Sequence, residues 1–193
     1  MANSDNARGL SLARMGGSAA YTGAANRYYV PSSDGTAIYI GGLVKPAGSA
    51  DANGVMSVTG NVSTGDAVLG VVVGIEMETH DSTIYRVASS ERYVYVVDDP
   101  NAVFEVQDDS VGGALAATAV GNSADLTGFT SGTTATGRST IEIDSSTITA
   151  AGDGTEDVVI IGLVQREDNV IGANGKWLVR LNNHFFVDAQ AGA

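Results

Sequence analysis

Between Thr83 and Gln107 the chain reads TIYRVASSERYVYVVDDPNAVFEVQ, two runs dense in β-branched and aromatic residues around Asp98-Asp99-Pro100-Asn101. Side chains on a strand point alternately to opposite faces. Tyr93, Tyr95 and Val97 therefore share one side and Val94 and Val96 the other. Beyond the turn, Phe104 and Val106 share a face opposite Val103, Glu105 and Gln107. Pro100 has no backbone donor and a fixed φ, so it belongs in a connection and not in a central ladder. The stretch predicts two strands joined by a short acidic turn as a hairpin.

The same texture recurs along the chain. A-I-Y-I-G-G-L-V-K-P from Ala37 predicts a strand, a glycine break and a short continuation, and Asn53-Gly54 a turn. Val55, Ser57 and Thr59 alternate with Met56 and Val58. A-V-L-G-V-V-V-G-I-E-M-E, opened by Gly65-Asp66, is almost continuously apolar. Such a run predicts a strand buried on both faces or crossing between sheets, with Gly70 and Gly74 at bends.

Residues 110–136 are rich in Gly, Ala, Ser and Thr and predict a loop insertion. After it, Ile141 and Ile143 alternate with Glu142 and Asp144. Asp153–Asp157 is an acidic turn before V-V-I-I-G-L-V-Q, a second buried strand that looks like a companion of the first in one barrel. Asn174-Gly175 predicts a hairpin turn into K-W-L-V-R-L, where Trp177, Val179 and Leu181 share a face. With 25 glycines and 3 prolines among 193 residues, these short runs predict an all-β fold. It is a compact β-barrel or β-sandwich, tulip-like or jelly-roll-like, of about eight to ten strands.

Residues 1–30 keep neither period and predict an extended N-terminal arm ahead of a single β domain over 31–193. A segment of this length without its own core needs a partner to order it, either its own body or a neighbouring subunit. Its spaced Arg8, Arg14, Tyr21, Arg27, Tyr28 and Tyr29 are interface-type residues and favour a partner surface over a frayed terminus. The arm holds three of the ten basic residues against one acid, whereas the whole chain has a net charge of −12. That acidic body repels phosphate, so no nucleic-acid partner is expected.

No run of about 18 apolar residues predicts a membrane span, and the polar N-terminus lacks a signal-peptide core, which suggests synthesis in a cytoplasm. The last residues, from Asp188, are expected to fray. With no Cys there is neither a disulfide frame nor a thiolate metal site.

Catalytic constellations are missing. His80 and His184 read as structural residues, no G-x-S-x-G elbow occurs, and Gly175-Lys176 lacks P-loop spacing. Asp98-Asp99, Asp108-Asp109 and Asp153/Glu156/Asp157 read as solvated turn acids, because Asp favours turns for backbone reasons. A glycosidase-like carboxylate pair leaves no signature in one sequence. Oxygen ligands for Ca²⁺ are plentiful, but none stands in the spaced EF-hand pattern. The expectation is a protein without catalytic residues, cofactor or metal.

Asn26-Arg27-Tyr28-Tyr29-Val30-Pro31, Asp98–Gln107, the G-R-S-T-I-E-I-D run at 137–144, V-I-I-G-L-V-Q-R-E-D-N and W-L-V-R-L-N-N-H-F-F together resemble the head decoration, or cement, proteins of tailed bacteriophages. The resemblance covers most of the chain from Arg8 onward. It implies a non-enzymatic virion protein on the outer capsid surface, partnered with the major capsid protein and with its own copies as trimers or dimers at symmetry axes. The six arm residues then become candidate capsid or subunit contacts. On that reading, deleting residues 2–30 removes shell binding and leaves the body folded. Rival readings are a tail or fibre-base β module, a displayed carbohydrate-binding β-sandwich, and a β-fold hydrolase or lyase using paired carboxylates.

Overall fold

The computed structural model describes residues 3–16, 20, 22–149 and 155–187. Tyr21, part of the Asp153–Asp157 turn and the tail from Asp188 lie outside the described residues. The chain is all-β, with no α-helix among the described residues. Its strands are β1 (Ser11–Arg14), β2 (Asn26–Val30), β3 (Leu43–Ala50), β4 (Met56–Thr59), β5 (Gly70–Ile75), β6 (Arg92–Val97), β7 (Val103–Gln107), β8 (Ser123–Ala124), β9 (Leu126–Thr127), β10 (Gly132–Thr133), β11 (Arg138–Ser139), β12 (Glu142–Ile143), β13 (Val158–Leu163) and β14 (Lys176–Leu181). Nine of them have four residues or more.

Two units share the chain. Strands β2-β4-β3-β5-β6 close a barrel, and β1-β7-β14-β13-β8 form an antiparallel sheet beside it. Val30, Val44, Val58, Leu69, Val72, Val94 and Val96 fill the barrel. A second core contains Leu43, Val71 and Val97 from the barrel strands together with Phe104, Val106, Val158, Ile160, Trp177 and Val179 from the sheet. This arrangement explains the continuous apolar run. On β5, Val72 points into the barrel while Val71 points at the sheet, so both faces leave water.

Gly70 lies against the β6 backbone, and the register of β5 against β6 shifts between Val72 and Gly74. The glycines thus mark a close approach and a bulge. The β3–β4 turn is a built one. The Asp51 carboxylate accepts from the N–H groups of Asn53 and Val55 at 2.8 Å each, and Gly54 has φ 81°; this left-handed conformation costs glycine little.

Several expectations are corrected. The strands flanking Asp98–Asn101 do not form a hairpin: β6 pairs with β2 and β5, whereas β7 pairs with β1 and β14. The alternation along each strand holds, but the acidic turn carries the chain from barrel to sheet. Ala37–Ile40 forms only isolated bridges, Ile38 to Arg86 and Ile40 to Arg138. Strands β5 and β13, alike in sequence, belong to different sheets, and β13 buries one face only. The β13–β14 hairpin closes through residues 164–175, longer than the Asn-Gly signal alone suggests.

Three of the turn acids are not solvated either. Asp108, Glu156 and Asp157 are buried. Asp157 accepts from the N–H groups of Gly65 and Leu126, and Asp108 from Leu115 N–H, Ser110 Oγ and the Trp177 indole. Charged acceptors of this kind pin loops to the core. Residues 110–136 contain a 3-10 turn at Ala117–Ala119 and the short strands β8, β9 and β10.

The described part of residues 1–30 is ordered by the chain's own body. β1 extends the sheet against β7, β2 is a barrel strand, and Leu10 is in the core. Asn3 caps the 170–173 loop through bonds to Val170 and Ala173, and Asn6 N–H donates to Gln107. Removing residues 2–30 would therefore remove a barrel strand as well as a leader.

Candidate attachment surfaces

The structure separates the described candidate residues into a buried one and two surfaces. Tyr28 is in the barrel core, 7% exposed, and its hydroxyl donates to Asp98 at 2.5 Å. Burial, with that bond, pushes its phenol far above the usual range. Tyr28 is a structural strut and not a contact residue.

Its strand neighbours face outward. Register pairs Arg27 with Tyr95 and Tyr29 with Tyr93 across β2 and β6, so the four side chains share the barrel's outer wall. The Arg27 guanidinium lies over the Tyr93 ring, 3.4 Å from its centroid. It also forks onto Glu76 at 2.7 and 2.9 Å, and Tyr95 donates to the same carboxylate at 3.2 Å. Tyr29 and Tyr93 meet at 5.4 Å between centroids, and the Tyr93 hydroxyl donates to Asp51 at 2.5 Å. Arg27 holds the Glu76 carboxyl below its ordinary range, and the Tyr93 hydroxyl does the same for Asp51. The wall is a pre-ordered, partly exposed arginine–tyrosine surface.

The second surface is the side of the five-stranded sheet turned away from the barrel. Trp177, Val179, Phe104 and Val106 occupy the inner side, so Val103, Glu105, Leu178, Arg180, Val159 and Ile161 take the outer one. Register sets Arg14 opposite Val103 and Arg180 opposite Val159. Continuing the Val179–Phe104 pairing by one step brings Arg180 beside Val103. The row across four strands therefore reads Arg, Val, Arg, Val. Together with Met15 and Ile161 it lines a depression of about 510 Å³. Among the described residues neither arginine has an ion-pair partner.

Farther along this side, Arg8 and Lys176 border a groove of about 490 Å³ in which Arg166 is already spent on Glu105 and Asp168. With its amide oriented toward Arg8, the Asn6 side-chain oxygen accepts from Arg8 at 2.9 Å. Five of the ten basic residues thus border one side of one sheet in a chain of net charge −12.

His184 is 1% exposed and His80 lies fully in solvent beside Asp81. Among the described residues, no three His, Asp or Glu side chains are placed to hold a metal ion. Arg86 is completely buried, donating to the carbonyls of Pro31, Thr36 and Ser90. It ties down the Pro31–Ser90 end of the barrel.

Sequence reasoning named Arg14, Arg27 and Tyr29 but missed their partners Arg180, Tyr93 and Tyr95. Period-two alternation assigned Tyr93 and Tyr95 to one face. What makes that face a surface is pairing with a strand some 65 residues earlier, and no local pattern encodes it. No protein-family model, no curated protein and no solved structure matches this chain.

Proposed function

We propose that this chain is a structural protein of a virus particle, attached to the outside of an assembled capsid, the role of the head decoration proteins its sequence resembles. The observation that carries the reading is the ordered wall of Arg27, Tyr29, Tyr93 and Tyr95. Arginine and tyrosine are the residue types that dominate protein–protein hot spots, and here their rotamers are held before any partner arrives.

The wall favours protein over glycan. Arg27 covers the Tyr93 ring, so that ring is not free to stack on a sugar. The acidic body disfavours nucleic acid, and among the described residues no helix is long and apolar enough to cross a membrane. The partner is the major capsid protein in its assembled state. A ligand that binds only the assembled shell stabilises it by mass action.

Co-sedimentation tests this. The purified protein is mixed with intact shells and, separately, with unassembled capsid protein. Pelleting with shells alone is the expected outcome. Equal binding to unassembled subunits, no binding to shells, or particle labelling confined to the tail overturns the proposal.

A further inference from the structure

The depression between Arg14 and Arg180 has a counterpart on the barrel of the same chain. After β5 the chain makes a tight turn through Met77–Asp81. Ser82 Oγ accepts from the N–H groups of Glu78 and Thr79 at 3.1 and 2.9 Å, and Ser82 N–H returns to Thr79 O at 3.1 Å. The turn is therefore held in shape. Met77 stands 67% exposed at one end of it. The Glu78 side chain is 54% exposed with a long 3.9 Å approach to Arg92, and Asp81 is fully in solvent. An exposed thioether followed by two carboxylates within one turn is complementary to an apolar floor flanked by guanidiniums.

We propose that the Met77–Asp81 turn of one copy seats in the Arg14–Arg180 depression of a second copy. Met77 lies on the half-buried Val159 and Ile161, and Glu78 and Asp81 face the two arginines. Neighbouring strands are about 4.8 Å apart, so Arg14 and Arg180, two strands apart, stand roughly 10 Å from each other, wide enough for a single turn between them.

Charge selects the second copy. Residues 26–99 carry nine acids and four basic residues. Of the four, Arg27 and Lys45 are ion-paired and Arg86 and Arg92 are buried. The barrel thus shows surplus negative charge and the sheet face unpaired positive charge. A head-to-tail contact joins opposite signs within a population whose members otherwise repel. Being heterologous, the contact repeats, closing a ring or propagating a row. It is independent of the capsid reading, because it forms between copies in solution.

The test is sedimentation velocity of the purified full chain without particles. The expected wild-type result is a mass that rises with concentration at low salt, with about a tenfold loss of apparent affinity at roughly 0.5 M salt. A hole variant, Arg14→Glu with Arg180→Glu, and a knob variant, Glu78→Arg with Asp81→Arg, should each stay monomeric. Mixed in equal amounts they should associate again, since the reversed knob meets the reversed hole. Recovery on mixing also shows that both variants fold.

A wild type that stays monomeric at about 1 mM in low salt overturns the proposal, as does a mixture that stays monomeric while both variants keep the wild-type circular dichroism. Either result leaves shell binding to be judged on its own assay.

Discussion

Gly70 packs so closely on the carbonyl oxygen of Val97 that a Cβ at this position would lie 2.2 Å from it. The obstacle is backbone of the neighbouring barrel strand and cannot rotate away. Gly70→Ala should destabilise the fold by about 1–3 kcal/mol or more, read as a lower midpoint in denaturant with an unchanged slope. A midpoint equal to wild type would show that β5 and β6 can separate at no cost.

Glu142 supplies a pH prediction. Burial pushes its carboxyl above the ordinary value, Asp5, Asp108 and Asp109 add to the effect, and the bond from Gln107 partly opposes it. A carboxyl whose folded pKa is raised holds a proton that the unfolded chain has released. Stability is therefore lost as pH rises from about 4.3 through the raised value, and stays lost above it. Glu142→Gln keeps an acceptor for Gln107 and removes the charge. It should melt a few degrees higher at neutral pH, by about 1 kcal/mol, and the advantage should vanish near pH 4. A constant difference across that window would assign it to something other than titration.

Arg27→Ala separates attachment from folding. Its pair with Glu76 is at the surface, where ion pairs contribute little to stability. Melting should shift little. Shell affinity should fall at least about tenfold, the order expected for a hot-spot arginine. Unchanged shell binding would remove the wall from the proposed function.

Deleting residues 2–30 should not leave a folded body. The cut removes β2, whose register with β6 runs from Asn26 to Val30, and Leu10 from the second core. Thermal unfolding followed by circular dichroism should lose its cooperative transition. A sharp transition near the wild-type midpoint would mean that the barrel tolerates an open side.

These cases also show what was legible in the sequence. Alternation gave the faces of β6, β7 and β14 correctly, since period two is a local property. Gly70 and the apolar run around it announced a strand with two covered faces. The partner of each strand was another matter. Val97 and Val103 are a few residues apart in sequence yet belong to different sheets, because loop acids and long-range pairing decide where the chain turns. Asp157 reads as a solvated turn residue until Gly65 and Leu126 are brought against it. The leader lacked a period because its core is borrowed: Leu10, Leu12 and Met15 pack on residues far along the chain. The candidate surfaces fared likewise, with half of each row visible and the facing half supplied by topology.

The barrel's circuit is closed by β2 and β4, which run parallel and share a single paired position, Tyr29 with Ser57. That is the thinnest seam in the cylinder. The strand on one side of it also displays Arg27 and Tyr29, so a partner gripping this wall clasps the seam at the same time. Attachment would then stiffen the attached molecule itself, and the amides of Met56–Thr59 should exchange more slowly in the seated protein than in the free one.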